Sequence, residues 1–298
     1  MTIENFVEQL KAELETKLSP DHTISVQKVH KNNGLLLTGL MIQKASEKMI
    51  PTIYVDSFFD DYQKGLSMQK IVDQILKITA ESHSQSLDMN FFTDFEKVKP
   101  RIAYKLIHAG KNQELLDTIP HIIYLDMAIC FYYSFDNLGM GNGSILINNN
   151  HMDEIWHTNT EELYQLAKEN TSKILPVTFQ TMQATLVEMI GDSLDFKHFP
   201  KNSLFILSNR QKYLGAAAIL YPGVLDQIRT TFQADFYVIP SSVHETLLIP
   251  MDGLDAKNIH SIIVEANRTV VEQDEILSDS LYEYREETKL LQICRLRA

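Results

Sequence analysis

Several features that would identify a class of protein are scarce or missing in this chain of 298 residues. Its two cysteines, Cys130 and Cys294, lie far apart and form no Cys-x-x-Cys pair, so the sequence offers no cysteine-based zinc site. No apolar run approaches the roughly 20 residues that a membrane-spanning helix needs. The N-terminal residues are rich in acidic side chains and carry no cleavage motif, so we expect no signal peptide. These absences predict a cytoplasmic protein with reduced core thiols and no membrane contact.

Positive charge is also in short supply, because 27 basic residues face 39 acidic ones and leave a net charge of −12. We therefore expect no free nucleic acid as a ligand, since contacts to phosphate need a basic face. Between Glu265 and Glu287, eight acidic residues stand against Arg268 and Arg285, which concentrates half of the net charge there. Such a face is suited to a basic partner protein, or it is a solvated surface that maintains solubility. The binding candidates are Glu272, Asp274, Glu275 and Glu287.

The residues that are present predict an α+β protein with mostly antiparallel sheets. Hydrophobic content of 44% and charged content of 22% are typical of a globular protein. Hairpin signals and helical patterns follow one another irregularly rather than in a strict strand–helix–strand rhythm. The polar stretch 81–88 predicts a boundary between a small N-terminal lobe, residues 1–85, and a larger body, residues 86–298.

The longest strongly apolar passage, residues 202–250, predicts a compact unit of strands around one helix. We expect a buried strand at 213–220, where small residues cluster, with a helix as the alternative. Proline lacks a backbone donor, so Pro240 is expected in a turn between two strands. The predicted elements are strands at 204–207, 213–220, 236–239 and 243–249 and a helix from Val224 to Phe232.

Local signals elsewhere predict further elements. Asn33-Gly34 between two apolar runs is typical of a hairpin, and Thr158 with Glu161 has the spacing of a helix capping box. The other predicted elements are an N-terminal helix capped by Thr2, a strand at 51–55, helices at 57–64 and 67–80, strands at 101–108 and 122–135, a loop at 137–144, a helix at 182–190 and a final hairpin at 281–294.

The densest group of reactive residue types is Ser241, Ser242, His244 and Glu245. In a strand, Ser242 and His244 would share one face while Glu245 would point to the other, so a base and its orienting carboxylate would diverge. No Gly-x-Ser-x-Gly elbow or glycine-rich oxyanion loop accompanies them. We therefore predict a hairpin with a hydrogen-bonded histidine, and keep a hydrolase or metal-dependent enzyme at Ser242, His244 and Glu245 as the alternative.

Three further groups have a chemical and a structural interpretation, and we favour the structural one in each case. His151, Glu154 and His157 would lie within one arc of a helix, but zinc helices place two histidines four residues apart. The glycines in 139–143 lack the lysine of a phosphate loop. Asp56, Asp60 and Asp61 resemble a magnesium cluster, yet acids are common at helix starts. We accordingly predict no metal and no cofactor.

Six segments of the sequence resemble those of an uncharacterised, domain-of-unknown-function family found in anaerobic gut Firmicutes, and the similarity covers nearly the whole chain. One of them, EELYQLAKENT, is also similar to a second uncharacterised Firmicutes family. The resemblance implies a place among accessory genes of integrative mobile elements, and it supplies no catalytic residue. The segments are PTIYVDSFFDDY, FFTDFEKVKPRIAYKLI, EELYQLAKENT, LGAAAILYPGVL, FYVIPSSVHE and LSDSLYEY.

These observations lead to a functional hypothesis: a non-catalytic cytoplasmic accessory protein that binds another, basic protein. The absence of a complete catalytic motif, the lack of a basic surface and the acidic segment all favour it. The oligomeric state does not follow from the sequence.

Overall fold

A computed structural model describes residues 1–44, 52–82, 89–135, 143–190 and 204–296. The chain forms two compact units, of which the first is Met1–Met89 and the second begins at Asn90. The boundary predicted from the sequence, between residues 85 and 86, lies outside the described ranges and stays a prediction.

The first unit packs three helices against a small antiparallel sheet. Its strands follow the order β1-β2-β3. The elements are α1 (Ile3–Lys17), β1 (His22–His30), β2 (Leu36–Lys44), β3 (Ile53–Tyr54), α2 (Asp56–Gln63) and α3 (Met68–Ser82).

Helical spacing of apolar residues builds the core of this unit. Phe6, Leu10 and Leu14 lie on one face of α1 and are fully buried. They pack in one cluster with Leu40 of β2, Ile75 of α3 and their neighbours. Removing such side chains from water is the main stabilising term for a unit of this size.

The second unit contains the remaining described elements. Its helices are α4 (Met89–Thr93), α5 (Phe95–Val98), α6 (Gln113–Leu116), α7 (Thr160–Ile174), α8 (Met182–Ile190), α9 (Val224–Phe232) and α10 (Ala256–Thr269). Its strands are β4 (Ile102–His108), β5 (His121–Tyr124), β6 (Met127–Ser134), β7 (Ser144–Leu146), β8 (Val177–Thr181), β9 (Phe205–Asn209), β10 (Phe236–Ser242), β11 (Glu245–Pro250), β12 (Tyr282–Tyr284) and β13 (Leu291–Ile293).

These strands form two antiparallel sheets. In the smaller sheet the central strand β6 pairs with β4 on one side and with β5 and β7 on the other. The larger sheet has six strands in the order β13-β12-β10-β11-β9-β8. Every strand pairing in the described ranges is antiparallel, which confirms the predicted α+β class.

One of the resembling segments, EELYQLAKENT, fastens α7 to the smaller sheet. Asn170 donates through its side-chain amide to the carbonyls of Lys99, at 2.8 Å, and Ile102, at 3.2 Å. The buried hydroxyl of Thr171 accepts the backbone N–H of Tyr104 at 3.1 Å. The two polar residues that close the segment therefore satisfy backbone groups at the start of β4.

The strand predicted at 213–220 is wrong, because Gly215–Leu220 is a 3-10 helix. The segment is buried as expected, and Ala216, Ala217 and Ala218 are fully inaccessible to solvent. Leu214, immediately before it, adopts a left-handed conformation with φ of 53° that directs the chain away from β9. Small residues permit close backbone approach in a strand and in a tight helix alike, so composition alone did not separate the two.

The turn predicted at Pro240–Ser242 is also misplaced, because β10 runs on to Ser242 and the chain turns at Val243 and His244. The register shifts between Ile239 and Ser242, which marks a β-bulge that accommodates Pro240 within the strand. A proline in a bulge removes no regular hydrogen bond between the paired strands, so Pro240 is tolerated within β10 and need not lie in the turn.

The predicted capping box at Thr158 and Glu161 is wrong by one residue. Asn159 is the N-cap of α7, and its side-chain oxygen accepts the backbone N–H of Glu162 at 2.9 Å. Thr158 instead donates to the Glu162 carboxylate at 2.6 Å. The helix begins at Thr160, which leaves Thr158 outside the cap position.

Most other predicted elements are confirmed. Thr2 caps α1, and β1 and β2 form a hairpin around Asn33, whose φ is 59°. The run at 122–135 is two strands, because Leu125 and Asp126 turn the chain between β5 and β6. The loop predicted at 137–144 falls largely on residues outside the described ranges, and the strands beside it, β6 and β7, pair as expected. The predicted C-terminal hairpin is β12 with β13.

Candidate functional site

The turn between β10 and β11, here called the hairpin tip and comprising residues 241–245, contains the densest predicted group of reactive residue types. Two backbone hydrogen bonds hold its apex. Val243 donates its N–H to the carbonyl of Glu275 at 2.8 Å and accepts the N–H of Ala216 at 3.3 Å. The tip therefore contacts both the alanine-rich 3-10 helix and the 3-10 turn Gln273–Glu275 of the acidic segment.

The imidazole of His244 has a partner at each ring nitrogen. Its Nδ1 accepts the backbone N–H of Leu214 at 3.0 Å, which assigns the proton to Nε2. Nε2 lies 3.4 Å from Oε1 of Glu275. The ring is thus fixed in one tautomer between a backbone donor and a carboxylate.

The loop that offers the Leu214 N–H is itself tightly constrained. Asn209 is fully buried, and its side chain donates to the Tyr213 carbonyl at 2.7 Å and accepts from the Gln211 N–H at 2.9 Å. A Cβ on Gly215 would lie 2.1 Å from the Ser208 hydroxyl oxygen and 2.5 Å from the His244 carbonyl oxygen. Only glycine fits at this position, so the loop and the tip are packed backbone to backbone.

The two serines of the tip make contacts that differ from those of a nucleophile. The Ser242 hydroxyl accepts the backbone N–H of His244 at 3.0 Å. The Ser241 hydroxyl lies 3.5 Å from a carboxylate oxygen of Glu245. The sequence predicts Ser242 and His244 on one face of a strand, but His244 lies in the turn, where this alternation does not apply. The carboxylate that orients His244 is Glu275, not Glu245.

The acidity of Glu245 is perturbed by its surroundings. Burial raises the pKa of its carboxyl group, while Ser241, His244 and Lys212 act in the opposite direction. A half-buried carboxyl group near a histidine and a serine is a combination that also occurs in active sites. Glu245 is therefore the residue that keeps the enzyme alternative open.

The four acidic binding candidates fall into two places. Glu272, Asp274 and Glu275 lie beside the hairpin tip, at the end of β10 that carries Ser242. Glu287 lies in the turn of the β12–β13 hairpin, where neighbouring Glu286 accepts a hydrogen bond from Arg229 and donates its N–H to Asp235 at the start of β10. The seven residues of β10 at about 3.3 Å each separate the two places by roughly 20 Å.

Part of the acidic segment is neutralised within the protein. Asp279 pairs with Lys111 at 3.8 Å, and Glu283 pairs with Arg285 at 2.9 Å. Glu286 pairs with Arg229, and Glu275 with His244. Glu272 and Glu287, by contrast, are exposed and make no ion pair within the described residues.

A second polar cluster, which sequence reasoning missed, surrounds Asp126 in the β5–β6 turn. One carboxylate oxygen accepts the hydroxyls of Ser278, at 2.6 Å, and Ser280, at 2.8 Å, and the other accepts the hydroxyl of Tyr282. Ser278 and Tyr282 are fully buried. The hydroxyl residues alternate along LSDSLYEY, and this period of two was the available signal that they share one face.

His108 lies near this cluster, and its surroundings lower its pKa. Burial lowers the pKa of its imidazole, nearby Lys111 lowers it further, and Asp126 and Asp279 oppose both effects. Its Nδ1 accepts the backbone N–H of Lys111 at 3.3 Å. The residues around Asp126 thus hold a hairpin turn against the segment before β12, a structural role.

The remaining candidates lie apart from any shared centre. His151 stacks on Trp156 with ring centroids 5.3 Å apart, and the indole N–H donates to the Phe92 carbonyl at 3.2 Å. His157 bonds the carbonyl of Asp153, while Asp56 accepts the N–H of Thr38 at 2.7 Å. Across the described ranges, no three His, Cys, Asp or Glu side chains form a group suited to a metal ion.

The hydrogen bonds within the tip limit the chemistry that His244 and Ser242 can perform. The nitrogen of His244 that would remove a proton, Nδ1, is occupied by the Leu214 N–H, and Ser242 bonds the backbone rather than the ring. General-base chemistry would require the Leu214 loop to move. Glu272 beside the tip, in contrast, is exposed and makes no ion pair among the described residues.

Fold and site together define an α+β protein with a closed polar hairpin tip next to the exposed Glu272. The chain belongs to the family of unknown function DUF5688, whose model matches residues 3–286. No curated protein and no solved structure matches the chain. None of the described helices is long and apolar enough to cross a membrane.

Proposed function

We propose that the protein works without catalysis, by binding another protein through the acids beside the hairpin tip. The observation that carries this proposal is the contrast between His244, with both ring nitrogens engaged, and its exposed neighbour Glu272. A locked histidine is poorly placed for acid–base chemistry, whereas an exposed carboxylate without an ion pair can meet a cation of another protein.

The partner in this proposal carries a basic surface. An interface of about 800 Å² per partner is wide enough to reach from Glu272 to Glu287, which lie roughly 20 Å apart. Charges at the rim of such an interface act mainly on the association rate, so binding should weaken steeply as salt rises. A nucleic-acid-processing enzyme, whose substrate groove is basic, fits this description.

We place this role in the cytoplasm of a bacterial host, as an accessory function of a mobile element. This setting rests on the family resemblance of the six segments described above. It predicts that the partner belongs either to the element or to a host system that acts on it.

The test is capture of the partner by the tagged protein from native host extract. The informative variant is Glu272→Lys with Glu287→Lys, since both side chains are exposed and make no ion pair in the described structure. Glu275 is left intact because its reversal would also remove the contact to His244. The matched control reverses Glu114 and Glu169, which are also exposed acids.

We expect a basic protein that is captured by the wild type and the control, released by added salt, and lost with the double variant. Circular dichroism should confirm that all three proteins are folded. If the double variant captured the same set of proteins as the wild type, the two acids would have no part in binding the partner.

An enzyme at the tip is the second candidate, and the raised pKa of Glu245 beside Ser241 favours it. The discriminating experiment is a panel of ester, peptide and phosphoester substrates with Ser242→Ala and Glu245→Gln as variants. We expect no turnover from any of the three proteins. Turnover that either substitution abolishes would establish the enzyme and contradict the binding proposal.

A further inference from the structure

A groove of about 970 Å³ lies at the β13 edge of the six-stranded sheet, away from the acids at the hairpin tip. Its floor is a cross-strand row in which Tyr237, Glu283 and Gln292 stand directly opposite one another on β10, β12 and β13. Its wall is the first turn of α10, with Asp255 and Lys257. The groove therefore opens where the sheet ends.

The backbone of β13 has unused hydrogen-bonding groups at this edge. Cys294 donates its N–H to Leu281, and bonded and non-bonded pairs alternate in an antiparallel ladder. The N–H and C=O groups of Gln292 therefore face β12, while those of Leu291 and Ile293 point outward; Ile293 is exposed, whereas Leu291 is buried. Within the part of the chain that the structure describes, no strand pairs with β13 on that side.

The charged groups around the groove are of two kinds. Of the two acids that line the groove, Glu283 pairs with Arg285, whereas Asp255 caps α10 through the Lys257 N–H at 3.0 Å. Of the three lining cations, Lys257 and Arg295 are exposed and make no ion pair among the described residues. The lining therefore carries three cations against two acids, an excess of positive charge, although the protein as a whole is acidic.

A second copy of the chain is a poor occupant of this edge. In the two-fold register that pairs all three residues of β13 with their counterparts, Lys289 of one copy would face Arg295 of the other, because both lie three residues from Gln292. Like charges directly opposite each other destabilise a strand pair, and proteins use edge lysines to prevent such pairing.

We propose that the β13 edge binds an extended acidic peptide segment of a partner protein, which adds to the sheet as a further strand. Its backbone would bond the outward groups of Leu291 and Ile293. Alternate side chains would extend the Tyr237–Glu283–Gln292 row into the groove, where glutamates or aspartates meet Lys257 and Arg295. This site recognises an acidic segment, whereas the tip meets a basic surface, so the two proposals stand or fall separately.

The probe is a short fluorescein-labelled peptide of alternating valine and glutamate, with a valine–lysine peptide as its matched control. Fluorescence anisotropy should detect binding of the acidic peptide only. The variant Lys257→Glu with Arg295→Glu should weaken that binding about tenfold. Lys168→Glu with Lys173→Glu, which changes two exposed lysines of α7 and shifts the net charge equally, should leave it unchanged.

A second variant, Ile293→Pro, tests the backbone contribution. It removes an outward N–H and no bond to β12, so the protein should remain folded and lose the peptide. Equal binding of the acidic and lysine peptides, or unchanged affinity in both groove variants, would overturn the proposal. So would a dimer in light scattering that becomes a monomer in Ile293→Pro, because a second copy would then cover the edge.

Discussion

The hairpin tip and the β13 edge are both polar, and they differ in whether their polar groups have partners inside the protein. At the tip, His244, Ser242 and the backbone of Val243 are all engaged by nearby elements. At the edge, the outward backbone groups of Ile293 and the side chains of Lys257 and Arg295 have no such partner among the described residues. A dense group of reactive residue types therefore marks a rigid turn here, whereas the edge has hydrogen-bonding groups left over for the peptide that we propose.

The most severe test of the closed tip is Gly215→Ala. The new Cβ would lie within 2.1 Å of the Ser208 hydroxyl oxygen and 2.5 Å of the His244 carbonyl oxygen, and a backbone atom cannot rotate away. We expect a loss of roughly 3 kcal/mol in the free energy of unfolding, measured by urea denaturation. Gly110→Ala is the control, since its Cβ would meet nothing closer than 3.4 Å and should cost less than about 0.5 kcal/mol. Similar losses at both glycines would contradict the tight packing of the tip.

The next test removes the imidazole itself. His244→Ala leaves the buried N–H of Leu214 without an acceptor, which should lower the free energy of unfolding by about 2 kcal/mol. Glu275→Gln keeps an oxygen near Nε2 and only removes charge from a partly exposed pair, so it should cost less than about 1 kcal/mol. If the order of the two losses were reversed, the ion pair would be the main restraint on the ring.

Two neighbouring proline substitutions sharpen the contrast at the edge. The N–H of Gln292 faces β12 and that of Ile293 faces outward, so Gln292→Pro should destabilise the protein by roughly 2 kcal/mol more than Ile293→Pro. Thermal or urea unfolding of the two variants gives this difference directly. Equal losses would mean that the outward groups of β13 are engaged after all.

The smallest expected effect concerns Glu245 and depends on pH. Burial raises the pKa of Glu245 in the folded state, so the folded protein binds the proton more readily than the unfolded chain does. Stability therefore falls as the pH rises from the ordinary glutamate pKa through the raised folded pKa. Glu245→Gln should therefore raise the free energy of unfolding at neutral pH, and the gain should disappear below the ordinary glutamate pKa. If the gain in the free energy of unfolding instead grew as the pH was lowered, burial would lower the pKa of Glu245 rather than raise it.

Sequence reasoning succeeded where the determining interactions are local. The β1–β2 and β12–β13 hairpins were predicted from turn residues and flanking apolar runs, which lie within a few positions of one another. Thr2 at the start of α1 was found for the same reason.

It failed where one residue type is compatible with two conformations. The alanines after Gly215 fit a buried strand and a buried 3-10 helix equally well, and Pro240 is tolerated in a bulge as well as in a turn. The choice was made by packing against β9 and β11, which single-sequence patterns do not contain.

The sequence predicted the residues of the candidate site but not the contacts that they make. Ser242, His244 and Glu245 do lie at one hairpin tip, yet the contact of His244 with Glu275 joins two candidates that the sequence kept apart. The hydrogen bond from Ser278 to Asp126 spans 152 positions. Contacts of this kind are set by the topology of the sheets. They produce no matching periodic pattern in the sequence around the two residues.

The most direct test of the contrast between the two regions is residue-resolved amide hydrogen exchange on the free protein. We expect the N–H of Leu214, bonded to His244, to be protected to nearly the global stability, and that of the exposed Ile293 to exchange rapidly. The acidic peptide should then protect Ile293 and leave Leu214 as it was. A protected Ile293 amide in the free monomer, or a rapidly exchanging Leu214, would contradict the account of a closed tip and an open edge.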